Sequence, residues 1–347
     1  MKDIFAKRLY SARIMEGLSM EKLAEKADVS KQMISKYEKG LSLPDSSVLI
    51  RLAKTLHQKA DYFFTPFKIE LGPIEFRKKS SLGKKKQDRI KQKIHLLMEH
   101  YLELENILSI KSEFENPLGD HSADSPEAVE RAAESLRDQW ELGRDPIYSI
   151  ISLLEEHEVK IIEMDENLKD FDGLAGYMGD KYPAIVINKN MPVERKRFTL
   201  LHELAHLLLD INQEEKKEKL CHRFAGAVLL PREVVLDQFG KKRSHIAYHE
   251  LFAVQKRFGI SATAIIYRLK DSGVILQERQ RQFFMLLNKN KNLKEQVLRE
   301  KYQGEETSER YEKLVYRALV QEQISLSKAS SMLGKSVEHV REYLAVI

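Results

Sequence analysis

The chain has 347 residues, enough for two or three domains at roughly 100–200 residues each. Its 42% apolar content supports packed cores and excludes a disordered polymer, despite a charged fraction of 32%. One cysteine, Cys221, excludes an internal disulfide framework and any cysteine-based zinc finger. No run approaches the ~18 apolar residues of a membrane span. The opening MKDIFAKRLYSAR lacks the apolar stretch of a signal peptide. A reducing, cytoplasmic setting without a membrane partner is the expectation.

The net charge of +5 is unevenly spread. Residues 1–66 carry twelve Lys/Arg against eight Asp/Glu, and residues 67–93 carry ten against three, which leaves the remainder net acidic. Cations gathered at one end suit phosphate neutralisation and counterion release, the signature of a nucleic-acid-facing region.

In chain order, residues 1–66 read as five short helices. Phe5, Leu9 and Ile14 form the apolar stripe of the first. Ser19 and Ser30 are placed to cap the next two, Gly40 stops the third, and Pro44-Asp45-Ser46 opens a fourth. A fifth covers about 59–64. Arg77–Lys93 places nine Lys/Arg against the single acid Asp88, a basic linker running into a helix expected over about 86–114. After the break at Asn116-Pro117 come helices at about 125–142 and 146–157. Three strands are expected at 159–164, 174–178 and 184–188, the last two a hairpin through Gly179-Asp180. Beyond Pro192 the pattern is helical, at about 193–209, 214–229, 231–239, 245–258 and 262–272, and a last helical group ends the chain. The fold class is mainly α with a small β-sheet, α+β. The domains expected are 1–66, a basic linker and helix over 67–124, a third over 125–275, and a helical C-terminal region over 276–347.

LSMEKLAEKADVSKQMISKYEKGLSLP has the form of two helices crossing at a short turn. Leu23 and Ala24 face Val29, Ile34 and Tyr37. The second helix of such a unit enters the major groove, and here it presents Lys31, Gln32 and Lys36. Glutamine bonds adenine through two contacts, and lysine reaches guanine or phosphate. Ser30, Ile34, Ser35, Tyr37, Glu38 and Gly40 give the stretch a close resemblance, over residues 5–64, to the Cro/repressor (XRE-type) helix-turn-helix family. That resemblance implies a five-helix domain that binds a double-stranded DNA operator, with a homodimer expected. It also implies that Arg13 pairs with Glu38. Arg13, Lys31, Gln32 and Lys36 are the candidate DNA-binding residues. Met20 departs from the glutamine common at its position and weakens one expected backbone contact.

FTLLHELAHLLLD contains H-E-x-x-H as His202, Glu203 and His206. Residues four apart share a helix face, so both imidazoles can bind one Zn²⁺. Glu203 is placed to take a proton from an attacking water. A third ligand is needed, and Asp210, Glu214, Glu215, Glu218, His222 and Glu233 are all within sequence reach. The run His202, Glu203, Leu204, His206, then Glu218, Cys221, His222, Phe224, Ala225, Leu230 and Pro231, resembles the ImmA/IrrE family of zinc metallopeptidases over residues 145–275. That resemblance implies a zincin-like fold and Glu218 as third ligand. It also implies a Zn²⁺ cofactor, with Mn²⁺ as substitute. Cys221 is expected to be a buried structural residue.

The strand hairpin offers an edge along which a peptide substrate can pair, and its second strand is the expected edge. Tyr177, Tyr182, Tyr248, His245 and His249 are candidate oxyanion donors. Near the C-terminus, Ile324–Arg341 repeats a helix, glycine turn and helix. It suits a second nucleic-acid or partner element, or a helical cap on the peptidase domain. Together these features point to a DNA-binding regulator with a metalloendopeptidase domain that cleaves a repressor or antitoxin-like protein in stress or mobile-element control. The alternative is a non-proteolytic antitoxin or sensor that represses its operon through the helix-turn-helix and binds a cognate toxin or small ligand through the zinc domain.

Overall fold

A computed structural model describes residues 1–67, 83–119, 122–165, 171–179 and 181–344. Most of the linker expected before residue 83 lies outside them. The chain divides into two compact units, one of residues 1–111 with 310–347 and one of residues 112–309. The second unit is therefore interposed in sequence between the two segments of the first. Among the described residues no helix is long and apolar enough to cross a membrane.

The first unit begins with helices α1 (Lys2–Met15), α2 (Met20–Lys26), α3 (Lys31–Glu38) and α4 (Ser46–Thr55), then a 3-10 turn, Ala60–Phe64. Ser19, Ser30 and Asp45 each accept a first-turn amide hydrogen bond at the start of α2, α3 and α4, which satisfies donors that a helix start leaves unpaired. Phe5, Leu9, Leu23, Ile34, Leu52 and Phe63 close one core. The long helix α5 (Lys84–Ile107) follows. It stops seven residues before Phe114, where a helix was expected to continue, because Ser109 turns the backbone left-handed at φ +53°. Arg8 of α1 makes two bonds to Glu99 of α5, at 2.7 and 3.1 Å, and also donates to the carbonyls of Thr65 and Pro66. That buried pair joins the first helices to α5.

In the second unit, α6 (Pro126–Gln139) and α7 (Ile150–Glu156) lead into β1 (Lys160–Met164), β2 (Gly173–Met178) and β3 (Tyr182–Asn188). The sheet order is β1-β3-β2, with β1 parallel and β2 antiparallel to β3. The expectation that the second hairpin strand is an open edge is therefore corrected. Among the described residues β3 is paired on both sides, and β1 and β2 are the outer strands. Helices α8 (Val193–Leu208), α9 (Glu214–Leu229), α10 (Arg232–Phe239), α11 (Tyr248–Phe258), α12 (Ala262–Asp271), α13 (Gln277–Lys289) and α14 (Lys291–Arg299) complete the unit. Apolar residues from α6 to α12 and the sheet share one core. Glu130 of α6 accepts from Arg223 of α9 at 2.8 Å and from Arg268 of α12 at 2.6 and 3.0 Å, which pins α9 from its far side.

Arg197 of α8 is fully buried and paired with the buried carboxylate of Glu306. It also donates to the carbonyls of Ile147 (2.7 Å) and Gly259 (3.1 Å). Glu306 in turn accepts the first amides of α7, Ile150 and Ile151, at 2.8 and 2.9 Å, where a helix N-terminus favours negative charge. Gly259 ends α11 at φ +62°, and an added Cβ would lie 2.5 Å from the Arg197 Nε, so both backbone and space require glycine. The chain then returns to the first unit as α15 (Arg310–Val320), α16 (Leu326–Leu333) and α17 (Val337–Leu344). Leu314, Val315, Ala318, Ala329 and Val340 pack there on Tyr101 and Leu104 of α5. The helix-glycine-helix segment is thus part of the first unit.

Removing one partner of a buried pair strands the other charge, at a cost of about 3–5 kcal/mol. Glu306→Ala is expected to destabilise the second unit by that amount and Glu306→Gln by less. The urea dependence of hydrogen exchange at α8 amides measures both. A change under about 0.5 kcal/mol for Glu306→Ala, within the usual range of surface substitutions, contradicts the assignment.

Candidate metal centre and nucleic-acid interface

The metal-binding side chains sit on two successive helices. In α8, Leu200, Leu201, Leu204 and Leu208 are buried in the core, which leaves His202 and His206 on one remaining face. A five-residue turn reverses the chain into α9. Asn116 donates to the Leu208 carbonyl at 3.1 Å and Asp124 accepts the Asn212 amide at 2.8 Å, fixing that turn. The Asn212 side-chain amide foremost, with the Ser122 hydroxyl and the Asn212 backbone amide, holds the Asp124 carboxyl below its usual range.

Glu218, one turn into α9, reaches both imidazoles. The two Nε2 atoms lie 3.2 Å apart, and the Glu218 carboxylate oxygens lie 3.4 Å from His202 Nε2 and 3.5 Å from His206 Nε2. Ligands held at ~2.0–2.1 Å in a tetrahedron are separated by about 3.3 Å. The two imidazole nitrogens are therefore spaced as two corners of such a tetrahedron, a different carboxylate oxygen of Glu218 faces each of them, and the residues fit a metal ion. Among the described residues, His202, His206 and Glu218 are the group with this property. The Glu218 side chain is 34% exposed while that of His206 is 1% exposed, so the triangle is closed on the core side and open beside Glu218.

The other sequence candidates are placed elsewhere. α8 ends at Leu208, the cap residue Leu209 is extended, and Asp210 turns away into a bridge with Ser122. Glu214 bonds Lys217, and Glu233 pairs with Arg144. His222 approaches the far nitrogen of His202, Nδ1 to Nδ1 at 2.6 Å, and does not join the triangle. Cys221 is fully buried, with its Sγ 3.2 Å from His206 Nδ1.

Glu203 is buried between α8 and β2. An added Cβ at Gly173 would come within 3.3 Å of the Glu203 Cγ and 3.0 Å of the Thr199 Cγ2. Glycine at the head of β2 thus lets the edge strand lie directly on the helix beside Glu203. No motif flagged Gly173; its signal was a glycine opening an edge strand. Tyr177 of β2 donates to the Leu207 carbonyl at 3.3 Å, and burial raises the pKa of its phenol. Tyr248, His245 and His249 are exposed, and Tyr182 opens β3 half-buried.

In the first unit α3 presents Lys31, Gln32 and Lys36 to solvent on one exposed side. Lys31 forms an exposed ion pair with Glu21, whose carboxyl it holds below the usual range. Lys84, Lys85 and Lys86 are exposed in the first turn of α5. Arg13 corrects an expectation. It is buried, its Nε and Nη2 bond Glu38 at 2.5 and 2.8 Å, and its Nη1 bonds the Leu18 carbonyl at 2.9 Å. Three of its N–H groups bond inside the domain, so it clamps α1 to α3 from within.

Residues 154–270 match the family model described as an IrrE N-terminal-like domain, and residues 9–63 match a helix-turn-helix model. An uncharacterized HTH-type transcriptional regulator of Rickettsia conorii is 41% identical over 62 residues, which covers 18% of this chain and 50% of that protein. A radiation response metalloprotease IrrE of Deinococcus deserti is 30% identical over 114 residues, covering 28% of this chain and 39% of that protein. The chain thus spans half or less of the length of these curated relatives. The apo form of ComR from S. thermophilus pairs with 96% of this chain and 98% of its own at 18% identity, with a TM-score of 0.18. The chain therefore carries a helix-turn-helix domain of the XRE type, followed by a domain of the IrrE/ImmA metallopeptidase family.

Proposed function

We propose that the chain is a DNA-binding regulator whose second unit is a zinc-dependent endopeptidase acting on a repressor-like or antitoxin-like protein. The observation that carries the reading is the triangle of His202, His206 and Glu218, with Glu203 next along the same helix and the free edge of β2 against it. His202, His206 and Glu218 would hold Zn²⁺, with Mn²⁺ as substitute. When bound, the ion supplies Lewis-acid polarisation of the scissile carbonyl. Glu203 takes the proton of the attacking water and returns it to the departing amine. The unpaired side of β2 holds the substrate as an added antiparallel or parallel strand, so that backbone pairing sets its register. The buried helix face under the histidines keeps bulk water from the base.

The purified protein is expected to contain close to one Zn²⁺ or Mn²⁺ per chain. His202→Ala and His206→Ala should lose it, and Glu218→Ala should weaken it. Glu203→Gln should keep the metal and abolish hydrolysis of proteins encoded beside its gene, because it removes a base and no ligand. Elemental analysis and peptide mapping read the two effects separately. A Glu218→Ala protein that binds metal as tightly as the parent removes Glu218 from the ligand set. A parent protein that controls its operator in cells no differently from Glu203→Gln removes proteolysis from the mechanism.

For the first unit, α3 docks in the major groove as part of a homodimer on a near-palindromic operator. Gln32→Ala is expected to relax preference at particular base pairs by roughly 1–3 kcal/mol. Neutralising Lys84, Lys85 and Lys86 together should weaken binding to every duplex and flatten its salt dependence, since phosphate contacts carry charge and little sequence information. Footprinting across a salt series distinguishes the two. A full-length protein that prefers no duplex, with binding unmoved by Gln32→Ala, marks the domain as a protein-contact module.

A further inference from the structure

Both ligand histidines reach the triangle through Nε2, and each therefore presents Nδ1 to a neighbour. Those neighbours are consecutive residues of α9. His222 Nδ1 lies 2.6 Å from His202 Nδ1, and Cys221 Sγ lies 3.2 Å from His206 Nδ1. A neutral imidazole carries one proton, on one nitrogen or the other. If Nε2 is to offer its lone pair to a cation, the proton must sit on Nδ1, and each Nδ1–H then needs an acceptor. Bonds of this kind fix ring orientation and raise ligand basicity.

We propose that Cys221 and His222 are a pair of positioning residues that hold His206 and His202 in the Nδ1–H tautomer, so that both Nε2 lone pairs converge on one ion. The proposal rests on the metal-site reading above. The assignment of protons follows directly. His222 accepts at Nδ1, so its own proton is on Nε2, and Cys221 accepts at sulfur. The opposite arrangement, with the thiol donating to His206 Nδ1, puts the His206 proton on Nε2 and closes that ligand to metal.

The two acceptors differ in environment. Cys221 is fully buried and the His206 side chain is 1% exposed, so water cannot replace the sulfur. His222 stands at an exposed position, edge-on to Phe198 with ring centroids 5.8 Å apart, and water can reach its place. The buried acceptor therefore has the larger effect, although sulfur accepts weakly. Helix geometry sets the pairing. With α9 running against α8, the later of two successive α9 residues meets the earlier of the two histidines, while Glu218, one turn before, spans both.

The test uses the full-length protein stripped of metal and titrated with Co²⁺, and with Zn²⁺ against a competing chelator. Cys221→Ala is expected to weaken both metals by about tenfold or more, within the range for loss of such a partner. Cys221→Ser restores most of the loss. His222→Phe weakens them by a smaller factor and His222→Asn, whose amide oxygen can accept, recovers it. The Co²⁺ absorption bands of Cys221→Ala should also change shape, which a remote packing defect does not produce. Unfolding temperatures of the metal-free variants provide the check on folding. Should His222→Phe lower that temperature, Cys221→Ala, which deletes a single heavy atom, decides the matter. Cys221→Ala with parental affinity and parental Co²⁺ bands overturns the proposal, as does a serine variant no tighter than the alanine. His202→Ala separates the two claims. If it loses metal while Cys221→Ala binds as the parent does, only the acceptor pair falls; if it keeps metal, the site reading falls as well.

Discussion

The buried pair between Arg197 and Glu306 holds several elements of the second unit together. Arg197 stands on α8 five residues before His202, and its guanidinium ties that helix to the loop carbonyl of Ile147 and to the left-handed turn at Gly259. Glu306 carries the same connection to the N-terminus of α7. A buried guanidinium with a single partner is costly; here the carboxylate and several carbonyls share its donors. This cluster and the buried leucines of α8 together set the rotation and depth of the helix, and hence the direction of both histidines.

From that helix outward the site is a matter of spacing. Four residues along α8 bring two Nε2 atoms to 3.2 Å, and an antiparallel α9 brings a carboxylate to within 3.5 Å of both. Two imidazoles and a carboxylate at such distances need either a shared proton or a cation between them. The side chains around them differ in access. The core side is sealed by leucines, and the Glu218 side is open.

Much of this was legible in the sequence for identifiable reasons. Caps at Ser19 and Ser30 and the apolar periodicity of α8 and α9 are local signals, and these elements appear within a few residues of their expected places. The histidine pair is also local, since four residues fix a helix face. Pairing of β1 with β3, which makes β3 central, is set by a crossover and leaves no local mark. The helix expected from Pro146 starts only at Ile150, because residues 146–149 are spent reaching Arg197 and capping α7. Arg13 was visible as a partner of Glu38, yet whether that pair faces DNA or the core depends on burial, which sequence does not state. Glu306 lies over a hundred residues from Arg197, in a stretch that reads only as alternating charge.

The interposition of one unit within the other has a consequence for how the protein is made. α5 emerges from the ribosome with Tyr101 and Leu104 exposed, and the helices that cover them, α15 to α17, follow only after residues 112–309. At ~5–20 residues per second that delay is on the order of 10–40 s. The helix-turn-helix core can close at once, since its apolar residues all precede residue 65 apart from a flank at Leu96. Its supporting helix cannot. A nascent chain therefore carries a folded DNA-reading module beside an uncovered apolar stripe, the kind of surface that chaperones hold and that aggregates when they do not. Any lesion that stops translation within the peptidase-family unit leaves that state permanent.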